Sequence, residues 1–123
     1  MEDLLEQFLM PTVVSKEPVL DYLMVMNGPE DGRMIKLDPD HWPADGTMKI
    51  GRLDDNEIVL ALDLAVSRHH ARLTYEAGVY SIEDWPSRYG TVVDGEPVTG
   101  RKALKNGSFI QIGETLLCLR CQS

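Results

Sequence analysis

The sequence predicts an all-β fold, a sandwich of two antiparallel sheets preceded by a short N-terminal extension that is helical or disordered. From Leu20 onward, short runs of alternating apolar and polar residues recur roughly every eight to twelve residues. Turn-forming pairs such as Ala77-Gly78, Asp94-Gly95 and Asn106-Gly107 separate several of these runs. No segment after Pro11 keeps a helical period for even about ten residues, so we expect packed sheets and no helix in this region.

The extension is predicted to cover residues 1–18, and the β-sandwich domain residues 19–123. Leu4, Leu5, Phe8 and Leu9 would form one apolar stripe of a short helix that Pro11 closes. Because Pro and polar residues are frequent after this stripe, we interpret the rest of the extension as a linker.

The first two strands are predicted at residues 21–26 and 33–37, joined as a hairpin by a turn rich in Gly, Pro and Asp. A Pro- and Asp-rich loop follows at residues 38–46. Further strands are predicted at residues 47–51, 57–60, 70–76, 79–84, 91–93, 101–104, 108–112 and 115–120. Cys118 and Cys121 would lie about 10 Å apart on opposite faces of the last strand, too far apart for a disulfide. We expect two reduced thiols, at least one of them buried.

Composition narrows the possible functions. The net charge of −8 argues against sequence-independent binding of nucleic acid, which needs clustered Lys and Arg. No apolar run approaches the roughly 20 residues of a membrane span, and an acidic N-terminus is unlike a secretory signal, so we expect a cytoplasmic protein. No metal or cofactor is predicted, because adjacent strand residues such as His69 and His70 point to opposite faces, and Cys118 and Cys121 have no second ligand pair.

Three loop motifs concentrate the residues that could bind an anion. They are Gly51-Arg52, then Ser67-Arg68-His69-His70-Ala71, then Asp84-Trp85-Pro86-Ser87-Arg88-Tyr89-Gly90-Thr91. Arginine offers a permanently charged fork of donors, and a serine hydroxyl adds another donor, so together they can saturate the oxygens of a phosphate. The residues therefore predict a phosphorylated peptide as ligand.

The order and spacing of these blocks, with Val93-Asp94-Gly95 after them, resemble the forkhead-associated (FHA) domain over roughly residues 20–122. The resemblance implies that Arg52 and Ser67 bind the phosphate directly, that Arg68 is a side contact, and that phosphothreonine is preferred over phosphoserine. It implies that His70 braces the loop. Gly51, Asp84, Ser87, Gly90 and Thr91 would support the loops structurally.

Tyr89 is the main departure from the family pattern, which usually has an asparagine there to hold the peptide backbone. Tyrosine lacks the paired donor and acceptor of an amide, although its ring could stack on a peptide and its hydroxyl could form one hydrogen bond. Arg88 would compensate by adding charge toward the phosphate.

The predicted function is non-enzymatic recognition of phosphothreonine in a partner protein through the end loops of the sandwich. One alternative is a phosphate-independent interaction or oligomerisation scaffold in which Tyr89 has altered the site. A second is a small enzyme acting on a phosphate ester, for which the sequence shows no nucleophile with a base. The protein's own tail is a further candidate ligand, since a phosphorylated Thr12 could occupy the site at high effective concentration.

Overall fold

A computed structural model describes residues 21–122, which form two packed β-sheets. The predicted extension of residues 1–18, with its helix and Thr12, lies outside the described residues. Within residues 21–122, no helix has the length and apolar character needed to cross a membrane.

The strands alternate with turns along the whole described chain. In order, they are β1 (Asp21–Val25), β2 (Met34–Leu37), β3 (Thr47–Gly51), β4 (Ile58–Val59), β5 (Ala71–Glu76), β6 (Val79–Asp84), β7 (Thr91–Val93), β8 (Glu96–Pro97), β9 (Arg101–Ala103), β10 (Phe109–Ile112) and β11 (Thr115–Arg120). Short 3-10 turns at Gly28–Glu30 and Pro39–His41 are the helical elements of the described chain.

The chain crosses several times between two sheets. The five-stranded sheet has the order β9-β6-β5-β3-β4, and the six-stranded sheet has the order β2-β1-β11-β10-β7-β8. All described pairs are antiparallel except β3 with β4, where Ile50 aligns with Ile58 and Gly51 with Val59. Residues 52–57 connect the two strands of this parallel pair.

The core lies between the sheets and follows from the alternation of apolar residues along each strand. In β11, for example, Leu117 and Leu119 are fully buried, and they belong to the same core cluster as Leu73 of β5 and Ile82 of β6. Full burial of one such side chain stabilises the fold by about 1.5–3 kcal/mol. Since the apolar contacts hold the sheets together, the polar loops at their ends can carry a binding site without being needed for packing of the core.

A buried tyrosine adds a polar link between the sheets. The Tyr80 hydroxyl on β6 donates a hydrogen bond of 2.6 Å to Oδ2 of Asp21 on β1. Burial, and then this carboxylate, raise the pKa of Tyr80 far above its ordinary value. The phenol therefore stays protonated and remains a donor throughout the physiological range.

All ten predicted strands are confirmed, including the hairpin of β1 and β2. The bounds of β3, β6, β7 and β11 agree residue for residue with the prediction, whereas β1, β2, β4, β5, β9 and β10 are one or two residues shorter. The β8 strand was not predicted, because two residues that include a proline carry no alternating pattern. Cys118 is buried, as expected for at least one of the two thiols.

Candidate functional site

Three loops meet around one depression of about 360 Å³. They connect β3 to β4, β4 to β5, and β6 to β7. The depression is lined by Arg52, Leu64, Ala65, Val66, Ser67, Arg68, His69, Arg88 and Tyr89. All five residues that the sequence predicted to contact a ligand are therefore brought together, although 37 positions separate the first from the last.

Gly51 allows the first two loops to touch. A Cβ at this position would collide with the carbonyl oxygen of Arg68 and would lie 2.7 Å from Nδ2 of Asn56. Asn56, which the sequence analysis missed, donates hydrogen bonds from Nδ2 to the carbonyls of Leu53 at 2.7 Å and Arg68 at 2.8 Å. Because no larger residue fits in the gap, the glycine is required for close packing of the loops rather than for a special φ.

Arg52 is half-buried and anchored at one end of its guanidinium. Its Nε donates to the Val66 carbonyl at 3.0 Å, and its backbone N–H donates to the Ser67 carbonyl at the same distance. Within the described residues, its two terminal amino groups have no recorded acceptor. A side chain that is fixed at Nε and open at both terminal nitrogens can accept an anion with little further loss of rotamer entropy.

Ser67 connects the second loop to the third. Its hydroxyl oxygen accepts a hydrogen bond of 2.9 Å from the backbone N–H of Arg88. Since the oxygen is the acceptor in that bond, the hydroxyl proton stays available, and no described residue is recorded as accepting it. Ser67 thus presents a donor to the depression while it holds the neighbouring loop in place.

His70 is fully buried and bridges the same two loops. Its Nδ1 accepts the backbone N–H of Ser67 at 3.0 Å, so the proton of the neutral ring is on Nε2, which donates to the Gly90 carbonyl at 2.9 Å. Both ring nitrogens are engaged with backbone groups, and His70 bonds to the Ser67 backbone rather than to its hydroxyl. The predicted strand start at residue 70 is one residue too early, because β5 begins at Ala71 and His70 lies buried just before it.

Asp84 organises the third loop. Its Oδ1 accepts the hydroxyls of Ser87 at 2.6 Å and Thr91 at 2.7 Å, and its Oδ2 accepts the backbone N–H of Ser87 at 3.0 Å. Burial alone would raise the pKa of this carboxyl, but the donors from Ser87 and Thr91 outweigh it and lower the pKa below 3.8. The Ser87 hydroxyl oxygen also accepts the Gly90 N–H at 2.8 Å, which completes the turn.

Gly90 has a φ of +82°. Space around it is open, since no neighbouring atom lies within 4 Å of where a Cβ would stand. The glycine is therefore needed for its backbone torsion and not to avoid a contact.

Arg88 and Tyr89 form the exposed rim of the depression. The guanidinium carbon of Arg88 lies 5.4 Å from the centre of the Tyr89 ring, within the range of a cation–π contact. Tyr89 is 64% exposed. Its ring therefore has a free surface on which a ligand can lie, while Arg88 is held beside it.

The electrostatic character of the depression is opposite to that of the chain. Its lining contains three arginines and no carboxylate, although the chain carries a net charge of −8. The lining residue His69 contacts an acid outside the lining: its Nε2 lies 3.0 Å from Oδ2 of Asp55, and the hydrogen bond from His69 is the main reason that the pKa of Asp55 is lowered. The sequence analysis did not predict His69, Leu64, Ala65 or Val66 as lining residues; the only available signal was their proximity to Ser67.

The family model for the FHA domain matches residues 48–113, and most of the fold and the loops of the site lie in that span. Among curated relatives, the chain is 35% identical over 99 residues to FHA domain-containing protein FhaB of Mycobacterium tuberculosis, covering 80% of this chain and 59% of FhaB. It is 38% identical over 92 residues to glycogen accumulation regulator GarA of Mycolicibacterium smegmatis, covering 75% of this chain and 53% of GarA. The chain thus spans somewhat more than half the length of these relatives.

A solved structure agrees with this assignment. An FHA domain from an analysis of phosphothreonine-dependent FHA domain interactions superposes with a TM-score of 0.71 at 28% sequence identity, over 85% of this chain and 99% of that one. This chain belongs to the FHA-domain family.

Proposed function

We propose that this chain is a non-enzymatic module that binds phosphothreonine in a partner protein. The observation that carries the proposal is the convergence of Arg52, Ser67, Arg68 and Arg88 on one depression whose lining contains no acid. A phosphorylated side chain carries a charge of about −1.5 to −2 and three strong acceptor oxygens. It therefore matches both the charge of this depression and its surplus of donors.

The donors divide into an inner and an outer set. Arg52 and Ser67 are only partly exposed, and each is positioned by backbone hydrogen bonds within the protein. Arg68 and Arg88 are exposed. We assign direct contacts with the phosphate to Arg52 and Ser67, and long-range attraction to Arg68 and Arg88.

The loop geometry supports a binding role rather than catalysis. Among the described residues, the histidine that is hydrogen-bonded to Ser67 is His70, and it contacts the backbone N–H instead of the hydroxyl. A serine nucleophile needs a base at its oxygen, and here that oxygen accepts the Arg88 N–H. The relatives named regulator or inhibitor, such as GarA, are consistent with a regulatory module.

A phosphate-independent scaffold is the second candidate, and the observation that favours it is Tyr89. Its exposed ring is paired with Arg88, which could draw the guanidinium away from a phosphate. In that case the loop would bind a peptide through stacking on the ring, and phosphorylation would make little difference to affinity.

Titration calorimetry with a library-selected phosphothreonine peptide and its unphosphorylated twin separates the two candidates. If the chain recognises phosphothreonine, the phosphorylated peptide should bind much more tightly than the unphosphorylated one, and replacing phosphothreonine with phosphoserine should lower the affinity. Equal binding of the phosphorylated and unphosphorylated peptides would exclude phosphothreonine recognition and favour the phosphate-independent scaffold.

We also propose a cytoplasmic location and a domain that starts near residue 19. Reduced thiols such as Cys118 are the usual state of cysteine in that compartment. The start near residue 19 is supported by β1, which lies between β2 and β11 in its sheet and so belongs to the folded unit.

The tail offers a possible internal ligand. Phosphorylated Thr12 would be tethered to the site, and tethering through a short linker gives effective concentrations in the millimolar range. A synthetic peptide of residues 7–17 carrying phosphorylated Thr12 should then bind the unphosphorylated chain and compete with other phosphopeptides. Failure of that peptide to bind, while an unrelated phosphothreonine peptide does bind, would exclude the tail without affecting the general proposal.

A further inference from the structure

The outward side of the six-stranded sheet is unusually apolar for a surface. Alternation along the strands places one set of side chains away from the core, opposite buried residues such as Leu23 and Leu117. We call this set the outer face, and it comprises Tyr22, Met24, Met34, Lys36, Val92, Pro97, Phe109, Gln111, Leu116, Cys118 and Arg120. None of these residues lines the depression described above.

The centre of the outer face is a continuous apolar row. Met34 aligns with Met24, Met24 with Cys118, and Cys118 with Phe109, so the row crosses four neighbouring strands. At about 4.8 Å per strand spacing, the row is roughly 14 Å long. Met34 is 50% exposed and Phe109 is 44% exposed, which leaves large apolar side chains at both ends of the row in contact with water.

The charges on the outer face have one sign. The next row holds Lys36, Tyr22 and Arg120 in register, and both charged residues are exposed. Among the described strand residues of this face there is no acid. A chain with a net charge of −8 thus has a surface that is apolar and positive, and such a surface fits an acidic amphipathic segment.

We propose that this segment is the chain's own N-terminal stretch, residues 1–9, which docks on the outer face. Its sequence contains the acids Glu2, Asp3 and Glu6 and no base. It also contains the apolar residues Leu4, Leu5, Phe8 and Leu9, which share one stripe in a helical conformation. From Leu4 to Leu9 that stripe is about 7.5 Å long, so it fits within the row.

The segment of residues 10–20 is long enough to let residues 1–9 reach the outer face. Residues 10–20 lead directly into β1, whose Tyr22 and Met24 belong to the outer face. Eleven residues span up to about 36 Å when extended, more than the roughly 24 Å width of a six-stranded sheet. Such a tether favours the chain's own segment over a second copy at ordinary protein concentrations, because its effective concentration is in the millimolar range.

NMR of the full chain tests the proposal without any substitution. Docking requires nuclear Overhauser contacts between the Phe8 ring and the methyl groups of Met24 and Met34. A sample that mixes isotope-labelled and unlabelled chains shows whether the contacts arise within one chain. Contacts between different chains would mean that a second copy covers the face, and would overturn the proposal, as would the absence of any contact.

Substitutions supply the matched controls. Changing Leu5→Ser together with Phe8→Ser should remove the contacts and shift the methyl signals of Met24 and Met34. Val79, on β6 of the other sheet, is 45% exposed, about as much as Phe109 at 44%. Val79→Ser should leave those signals and contacts unchanged. If the double variant gives the same Met24 and Met34 signals as the wild type, the face is open in the isolated chain and the proposal is wrong.

The charges provide an independent readout. Lys36→Glu with Arg120→Glu should weaken the contacts, whereas Lys102→Glu on β9 of the other sheet should not. Adding Glu2→Lys, Asp3→Lys and Glu6→Lys to the charge-reversed face should restore the contacts. Recovery would demonstrate charge pairing between the segment and the face, and a failure to recover while the sheet remains folded would contradict that pairing.

Discussion

Replacing Arg52 with alanine should weaken phosphopeptide binding by about tenfold to over a hundredfold. Its terminal amino groups have no recorded acceptor in the described chain, and Nε is fixed on the Val66 carbonyl. A hydrogen bond to a charged group contributes about 1.5–3 kcal/mol, and every 1.4 kcal/mol corresponds to a factor of ten in affinity. Losing even one such bond to the phosphate therefore produces the expected range.

Ser67→Ala should cost somewhat less, near the lower end of that range, because a neutral hydroxyl donor is removed. The substitution also leaves the Arg88 N–H without its acceptor, so the third loop should become less ordered. Arg68→Ala and Arg88→Ala should have the smallest effects on affinity, and these effects should shrink most with added salt, since both side chains are exposed.

The assay is titration calorimetry with matched phosphorylated and unphosphorylated peptides at two salt concentrations. Arg101→Ala is the control, because it removes the same charge from β9, away from the residues that line the depression. It should leave affinity within about twofold of the wild type if only local contacts matter. If Arg52→Ala binds as tightly as Arg101→Ala, the assignment of Arg52 to the phosphate is refuted.

Three further changes probe the loops. Tyr89→Asn should tighten phosphopeptide binding without much effect on the free energy of unfolding, because an amide can form two hydrogen bonds worth about 0.5–1.5 kcal/mol each. If calorimetry shows equal or weaker binding, either the tyrosine itself contacts the ligand or this loop does not contact the ligand. Gly51→Ala should lower the free energy of unfolding in urea by about 1–3 kcal/mol, since its Cβ collides with the Arg68 carbonyl, and an unchanged denaturation midpoint would contradict that packing. Asp84→Asn should destabilise the protein at neutral pH, but less so in acid. Because the pKa of Asp84 is lower in the folded state than in the unfolded state, its carboxylate stabilises the wild type fully at pH values well above 3.8. This stabilisation is lost as the pH falls through the folded-state pKa. A difference in the free energy of unfolding in urea that stays the same in acid would contradict this role of the carboxylate.

Alternating patterns between clear turns were sufficient to predict most of the strands. The bounds of β6 agree because Tyr80 and Ile82 alternate with Ser81 and Glu83 between a glycine turn and a proline-containing loop. The β8 strand escaped prediction because Glu96–Pro97 has no pattern of its own and becomes a strand only through pairing with Val92 and Val93. Pairings between distant segments, such as β1 beside β11, depend on long-range contacts that local periodicity does not encode.

The fold class, the family and five of the residues that line the depression could be predicted from the sequence alone. These depend on short blocks of residues whose chemistry is visible locally, such as the Gly51-Arg52 pair at the end of a strand. How those residues contact one another became visible only in the folded structure. That the Ser67 oxygen accepts the Arg88 N–H, that buried His70 ties the same loops together, and that Asn56 holds the Arg68 carbonyl are contacts across 12 to 21 positions of sequence. They exist because packing of the two sheets brings the loop ends within hydrogen-bonding distance, a constraint that acts in space and leaves no periodic signal along the chain.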